Sequence, residues 1–205
     1  LDPLGDQWRS EKTNNYIPYT STGAYYNWGQ DEEMDPINHW TGNSAADNRL
    51  VNGVVIQREK YNEFLQPVEA RYMRFYSIDG GSVSMEYYGE RNFTGERYGL
   101  ARDLPDSAWS ATSMWRNLQV HAAHQASYKH QHANGIWSPS QTQEERLRGE
   151  VYCQVDLGQL THVHGIGTKG RNSTAYWNQW CSEYMIKSSV DGINWFLVSP
   201  NAPSN

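Results

Sequence analysis

The sequence predicts an all-β protein, either a sandwich or a barrel, from three observations. Short runs with the apolar or alternating patterns of β-strands recur along the chain, and Gly, Asn, Asp or Pro bounds each of them. Helical periodicity is almost absent, because the best candidate, residues 143–147, is too short to form a stable helix. The pair Asp191-Gly192 is typical of the tight turn of a β-hairpin.

The local pattern supports each predicted element. Val83, Met85 and Tyr87 alternate with polar residues, which is typical of a strand with one buried face. Residues 1–50 alternate only weakly and are predicted to be long loops joined by short strands. Within them, residues 29–36 form a solvated acidic loop, with structural calcium binding as the alternative. In chain order, the predicted strands are 53–57, 71–76, 82–88, 151–157, 162–168, 183–188 and 195–198.

Length and composition limit the functional classes. The chain has 205 residues and a formal net charge of -6, which allows one large or two small domains and disfavours nucleic acid as a partner. No apolar run approaches the roughly 20 residues that span a bilayer. The first residues lack a signal-peptide pattern, so we expect a mature fragment or an excised domain. Nine Trp and 14 Tyr supply rings that suit either a core or a ligand-binding surface.

Two residue types bear on the cellular compartment. Cys153 and Cys181 are the only cysteines, and they form either a disulfide or two buried free thiols. Asn92 and Asn172 begin Asn-x-Thr sequons, which accept N-glycans in a secreted protein. Together these features are compatible with an extracellular, secreted glycoprotein.

Several segments resemble the discoidin family, also called coagulation-factor C-type or F5/8 type C domains. The late segments resemble the first half of the family pattern, and the early segments resemble its second half. This resemblance implies a discoidin-like jelly-roll β-sandwich of about eight antiparallel strands with long loops at one end. The late segments are LPDSAWSATSMW, GIWSPSQTQEERL, CQVDLGQLTHVHGIGTKGR and WNQWCSEYMIKSSVDGINW, and the early ones are HWTGNSAADNRLVNGVV and LQPVEARYMRFYSIDGGSVSMEYYGE.

The order of the two halves is exchanged relative to the family. One explanation is a single, circularly permuted sandwich, in which residues 1–90 resemble the second half and residues 99–198 the first. The alternative is that residues 1–90 and 99–205 are parts of two tandem copies. Burial favours the permuted sandwich, because half of a jelly roll would expose its inner face and strand edges. The resemblance also places Arg74 or Arg71 beside Asp156, where we expect a buried ion pair that joins the halves.

The resemblance implies that two loops at one end of the sandwich bind the ligand. In the loop at residues 114–136, the candidates are Trp115, Arg116, Asn117 and Leu118, which form a gripping or membrane-inserting spike or else plug the core. In the loop at residues 168–180, the candidates pair cations with rings, which suits sugars, sulfate or phosphate; the alternative is a solvated loop. These second-loop candidates are Lys169, Arg171, Tyr176 and Trp177.

A group of histidines lies in the first loop and has spacings compatible with zinc or copper. These weak candidates compete with the reading that the loop is merely polar, so no metal or other cofactor is assigned beyond the calcium alternative. The histidines are His121, His124, His130 and His132.

The expected function is that of an extracellular, non-catalytic binding or adhesion module within a larger assembly. Its expected ligand is a protein or a cell-surface group, with a membrane surface as a further partner. Lectin-type carbohydrate binding is the alternative, although Gln154 replaces the Arg of the fucose-binding branch. No nucleophile elbow, phosphate-binding Gly loop or paired zinc motif is present, so we expect no enzyme activity. A glycoside hydrolase is the remaining enzymatic alternative, because its carboxylate pair is defined only in space.

Overall fold

The computed structural model describes residues 40–91, 98–133, 136–139 and 151–199, together with the backbone of residues 8–9 and 16–17. At residues 120 and 131–133 only the backbone is described. The strands are β1 (Trp8–Arg9), β2 (Tyr16–Ile17), β3 (Trp40–Thr41), β4 (Asn48–Val51), β5 (Val54–Gln57), β6 (Lys60–Ser77), β7 (Ser84–Glu90), β8 (Tyr98–Gly99), β9 (Trp109–Ala111), β10 (Tyr152–Lys169), β11 (Glu183–Ser189) and β12 (Phe196–Leu197).

The all-β prediction is confirmed within the described residues. The helical segments there are short 3-10 turns, which lie at Asp106–Ala108 and between Trp115 and Ala133. In the described part of the chain, no helix has both the length and the apolar character that crossing a bilayer requires. The predicted helical candidate at residues 143–147 lies outside the described residues.

Eight of the described strands form one antiparallel sheet. Its order is β12-β11-β6-β10-β7-β8, with β3 added to β11 and β9 added to β10. The central strands β6 and β10 are each 18 residues long, and their pairing shifts register between Asp156 and Thr161 and between Val163 and Gly165. Such bulges bend long strands, which lets one sheet wrap around a single interior as in a sandwich.

The hydrophobic interior contains residues that precede residues 92–97 in the chain and residues that follow them. Phe75 of β6 stacks on Tyr184 of β11 with ring centroids 4.6 Å apart, and its edge meets Trp137 at 6.4 Å. Val155 of β10 belongs to the same cluster of buried residues, and Trp137 is fully buried. Early and late segments therefore share one hydrophobic core.

Outside the core, an ion pair also links β6 to β10. Arg71 donates from Nε and Nη2 to the two carboxylate oxygens of Asp156, at 2.9 Å each. Of the two expected partners of Asp156, Arg71 forms the ion pair and Arg74 does not. The expectation that the pair is buried is wrong, because the two side chains are 43% and 30% exposed. Arg74 instead donates to Gln154 at 2.9 Å and lies between the rings of Tyr152 and Trp195. The hydrogen bond from Arg71 lowers the pKa of the Asp156 carboxyl.

Both cysteines are buried free thiols, so the disulfide alternative is wrong. The Cys153 thiol lies 3.7 Å from the carbonyl of Ala123, and the Cys181 thiol lies 3.2 Å from the carbonyl of Glu183. Burial raises the pKa of each thiol, so both are protonated at neutral pH.

A candidate ligand groove at the loop end

The first wall of the groove is the start of the first loop. The amide of Trp115 donates to the carbonyl of Ser138 at 2.8 Å, which fixes the point where the chain leaves the sheet. Arg116 and Asn117 have φ values of 51° and 55°, in the left-handed region, so the backbone turns sharply here. This turn leaves Leu118 47% exposed and places the Arg116 guanidinium 5.3 Å from the ring of Trp115.

The second wall is the loop that follows β10. Arg171 and Gln179 close it, because the Arg171 amide donates to the Gln179 carbonyl at 2.8 Å and Arg171 Nη1 donates to Gln179 Oε1 at 2.9 Å. The Arg171 guanidinium lies over the ring of Tyr176, with its carbon 4.4 Å from the ring centroid. Tyr176 is 48% exposed, so the loop presents a ring and a cation together.

The third wall comes from the early half of the chain. Asp79 accepts hydrogen bonds from the amides of Gly81 and Ser182, at 2.8 and 2.7 Å, and from the Ser182 hydroxyl at 2.7 Å. These bonds join the turn before β7 to the segment before β11. A Cβ at Gly81 would collide with the Trp180 carbonyl oxygen, so glycine is required for this close approach.

Together the three walls enclose an open groove with a cavity volume of about 880 Å³. Its lining combines the large rings of Trp115, Trp180 and Tyr176 with two arginines and two carboxylates. It is lined by Asp79, Gly80, Gly81, Ser82, Trp115, Arg116, Leu118, His121, Ser138, Arg171, Tyr176, Asn178, Gln179, Trp180, Ser182 and Glu183.

The structure brings five of the eight predicted loop candidates into this groove, namely Trp115, Arg116, Leu118, Arg171 and Tyr176. Asn117, Lys169 and Trp177 do not line it. The Lys169 ammonium lies 4.3 Å from the ring centroid of Tyr128, and burial lowers the pKa of this lysine. The Trp177 carbonyl accepts a hydrogen bond from Asn48, so this residue supports the loop.

Sequence reasoning missed the third wall. Asp79 lies in an Asp-Gly-Gly segment that predicts a simple turn, and nothing in the local pattern indicates that this turn packs beside the late half of the chain. The available signal is the predicted exchange of the two halves, because its permuted-sandwich explanation would place the segments before β7 and before β11 in one sandwich.

The predicted histidine group separates into two environments. His121 lines the groove and is only 5% exposed. His130 Nε2 lies 3.1 Å from one Asp106 oxygen, and His124 Nε2 lies 4.0 Å from the other. The His132 side chain is outside the described residues. Among the side chains that are described, no group of three or more His, Cys, Asp or Glu could hold a metal ion.

Three further candidates concern glycans and calcium. Asn172 is half-buried in the second loop but does not line the groove. Asn92 and the acidic loop at residues 29–36 lie outside the described residues. Glycosylation and calcium binding therefore stay predictions.

Residues 105–205 match the F5/8 type C domain family. This segment belongs to that family. The match contains both predicted loops, whereas the third wall at residues 79–82 lies outside it. No solved structure gives a significant match.

The chain is also similar to curated receptors. The epithelial discoidin domain-containing receptor 1 of Homo sapiens is 32% identical over 102 residues, which cover 48% of this chain and 11% of the receptor. The receptor of the same name from Rattus norvegicus is 31% identical over 102 residues, with the same coverage. The match therefore spans about a tenth of the length of these relatives.

Proposed function

We propose that this F5/8 type C protein is an extracellular binding module that holds a segment of a protein ligand in the groove between its loops. The observation that carries this proposal is the meeting of residues 115–118, 171–176 and 79–82 around one open groove. These segments are far apart in the sequence, and two of them, residues 79–82 and 171–176, adjoin the extensively paired strands β6, β7 and β10. We further propose that the module acts within a larger cell-surface assembly, which the similarity to receptors supports.

The chemistry of the groove favours a protein ligand. Trp, Tyr and Arg are the residues that most often dominate protein-protein binding energies. Here Trp115, Trp180, Tyr176, Arg116 and Arg171 line one surface. Leu118 adds an exposed apolar contact beside them. An open groove with large rings suits an extended or protruding protein segment better than an enclosed pocket would.

A hydrolase is disfavoured by the hydrogen bonds of Asp79, one of the carboxylates that line the groove. A glycosidase needs one carboxyl group free to exchange a proton and a second free to attack or activate water. Asp79 is held by two backbone amides and the Ser182 hydroxyl, which fix it as a bracket between the walls. Both oxygens of Asp79 are therefore already occupied as hydrogen-bond acceptors within the protein.

A glycan is the second candidate ligand, and Tyr176 favours it. One face of the Tyr176 ring is covered by Arg171, and the residue is 48% exposed. An exposed ring beside a hydrogen-bonding guanidinium can stack on a sugar. The experiment below therefore includes glycans.

Surface-immobilised chain should be tested against triple-helical collagen, which the discoidin resemblance implies, and against a glycan array and phosphatidylserine vesicles. We expect saturable binding to the protein probe that Trp115→Ala and Tyr176→Ala each weaken at least tenfold. The matched control is Ile193→Ala, because Ile193 is 80% exposed and does not line the groove.

Two other outcomes would overturn or change the proposal. Protein binding that both groove variants leave unchanged would contradict the site. Selective glycan binding that depends on Tyr176 would replace the protein ligand with the carbohydrate alternative.

A further inference from the structure

The Arg171 guanidinium carries a charge that no carboxylate of the described residues neutralises. Its partners among the described residues are neutral, since Nη1 donates to the Gln179 amide oxygen and the guanidinium covers the Tyr176 ring. Burial lowers the pKa of Arg171, which shows that its surroundings are already costly for the charge. Among the described residues, the buried Arg171 Nε has no acceptor. An arginine in this state gains from an anionic ligand, because hydrogen bonds between charged groups are the strong ones.

The geometry leaves enough donors for such a ligand. Arginine has five N–H groups, and Gln179 accepts from one of them. Among the described residues Nε and Nη2 have no recorded acceptor, so donors remain on the guanidinium for a carboxylate to accept from. Tyr176 and Gln179 hold the guanidinium in place, which reduces the entropy lost on binding.

His121 provides a second unsatisfied group in the same groove. It is 5% exposed, and its Nδ1 has no hydrogen-bond partner among the described residues. Burial lowers the pKa of His121, and the nearby charge of Arg171 lowers it further, so the neutral form of the imidazole is favoured. It therefore adds a hydrogen-bonding atom beside Arg171 without adding a charge.

The other charges of the groove do not cancel Arg171. Asp79 is held in the third wall by Gly81 and Ser182, and Glu183 lies beside that wall. The hydrogen bonds of Asp79 are made within that wall and not with Arg171. Arg116, which lies on the first loop, adds a further positive charge. The groove therefore has carboxylates at the third wall and the Arg171 guanidinium at the end formed by the second loop.

We propose that the Arg171 end of the groove is a carboxylate subsite, which binds an Asp or Glu side chain of the protein ligand. An apolar side chain of the same ligand then packs against Trp115 and Leu118. This inference rests on the proposed function and makes it more specific, because it states which chemical group the ligand must carry.

The test is a selection of random 12-residue peptides, displayed on phage, against the folded chain. Peptides that Trp115→Ala no longer retains are taken as groove binders. We expect Asp or Glu to be enriched at one position of these peptides. Replacing that residue by Asn or Gln in the synthetic peptide should weaken binding to the unaltered chain by about tenfold to a hundredfold. This measurement does not depend on whether an Arg171 variant folds.

The complementary variants are Arg171→Gln and Arg171→Lys, with Arg49→Gln as the matched control. Arg49 is exposed and does not line the groove. Arg171→Gln should remove the preference for the acidic peptide over its amide form and also the salt dependence of binding. Arg171→Lys should restore part of both, and the control should change neither.

The outcomes separate the two proposals. Groove-dependent peptides with no acidic preference would overturn the carboxylate subsite and leave the protein-binding groove standing. Failure to select any groove-dependent peptide would count against both. Binding of heparin that requires Arg171, without any acidic peptide preference, would assign the cation to a sulfated glycan and overturn the carboxylate subsite.

Discussion

Glu86 makes the stability of this protein depend on pH in a direction that is unusual for a carboxylate. Glu86 lies on β7 and is only 1% exposed. Its Oε1 accepts a hydrogen bond from the Ala101 amide at 2.6 Å, whereas the buried Oε2 has no hydrogen-bond partner in the described part of the chain. Burial raises the pKa of the carboxyl from its ordinary 4.5 to about 7, against the opposing effects of the Ala101 amide and Arg102.

The direction of this pH dependence follows from the protons that Glu86 binds in the folded and unfolded states. Between about pH 4.5 and 7 the folded protein holds a proton on Glu86 that the unfolded chain has released. The free energy of unfolding therefore falls as the pH rises through this interval. At about 1.4 kcal/mol per pKa unit, the loss is about 3 kcal/mol.

The perturbation is Glu86→Gln, which keeps the acceptor for Ala101 and removes the titration. We expect urea unfolding of the unaltered protein to show the loss of about 3 kcal/mol between pH 4.5 and 7, beyond the contribution of its other groups. The variant should lack this loss, so its stability relative to the unaltered protein should improve by that amount across the interval. Glu69→Gln is the matched control, because Glu69 is exposed on β6. Parallel pH profiles for the unaltered protein and Glu86→Gln would refute the reasoning.

Three further perturbations test the core, the thiols and the third wall of the groove. Trp137→Ala removes a fully buried side chain and its 3.0 Å hydrogen bond to Ser113, so urea unfolding should show a loss of about 3–5 kcal/mol; a loss below about 1 kcal/mol would contradict the packing. Cys153 and Cys181 should react with Ellman's reagent only after the protein is unfolded, and a reductant should leave the melting temperature unchanged. If the thiols of a sample never treated with reductant stay unreactive after unfolding, the free thiols are contradicted. Gly81→Ala forces a Cβ against the Trp180 carbonyl, so both the melting temperature and groove binding should fall, and an unchanged melting temperature would show that the wall is looser than described.

The strand pattern was predictable where turn residues coincide with real turns. Residues 183–188 and 195–198 were predicted as strands and correspond to β11 and β12. Residues 151–157 and 162–168 were predicted as separate strands, because Gly158 resembles a terminator. In the structure, β10 continues through both predicted strands, and Gly158, at a φ of 82°, lies within the register shift between Asp156 and Thr161. Local sequence cannot distinguish a bulge from a turn when the partner strand is unknown.

The choice between Arg71 and Arg74 shows the same limit for side chains. In the observed register, Arg74 lies opposite Gln154, and Asp156 lies opposite Tyr72. Arg71 therefore reaches Asp156 from the neighbouring position, next to the register shift. The family resemblance predicts which two strands meet, but it does not predict the register that selects Arg71 over Arg74.

The candidate site was predictable only in part for a related reason. Arg171 and Tyr176 lie beyond the end of β10 and reach the groove, whereas Lys169 is still the last residue of that strand and packs on Tyr128. A strand boundary is uncertain by a few residues from sequence, and here two residues decide which surface a cation faces. Asp79 and Ser182 required the tertiary pairing of early and late segments, which no local pattern contains.

We propose that the exchanged halves form one circularly permuted sandwich within a single molecule. The most direct measurement is a pair of NOESY spectra, one on uniformly labelled protein and one isotope-filtered spectrum on an equal mixture of labelled and unlabelled chains. The proposal predicts cross-strand contacts between residues 73–75 and 153–155 in the first spectrum, and none of them between chains in the second. Absence of these contacts in the first spectrum, or their appearance between different chains in the second, would contradict it.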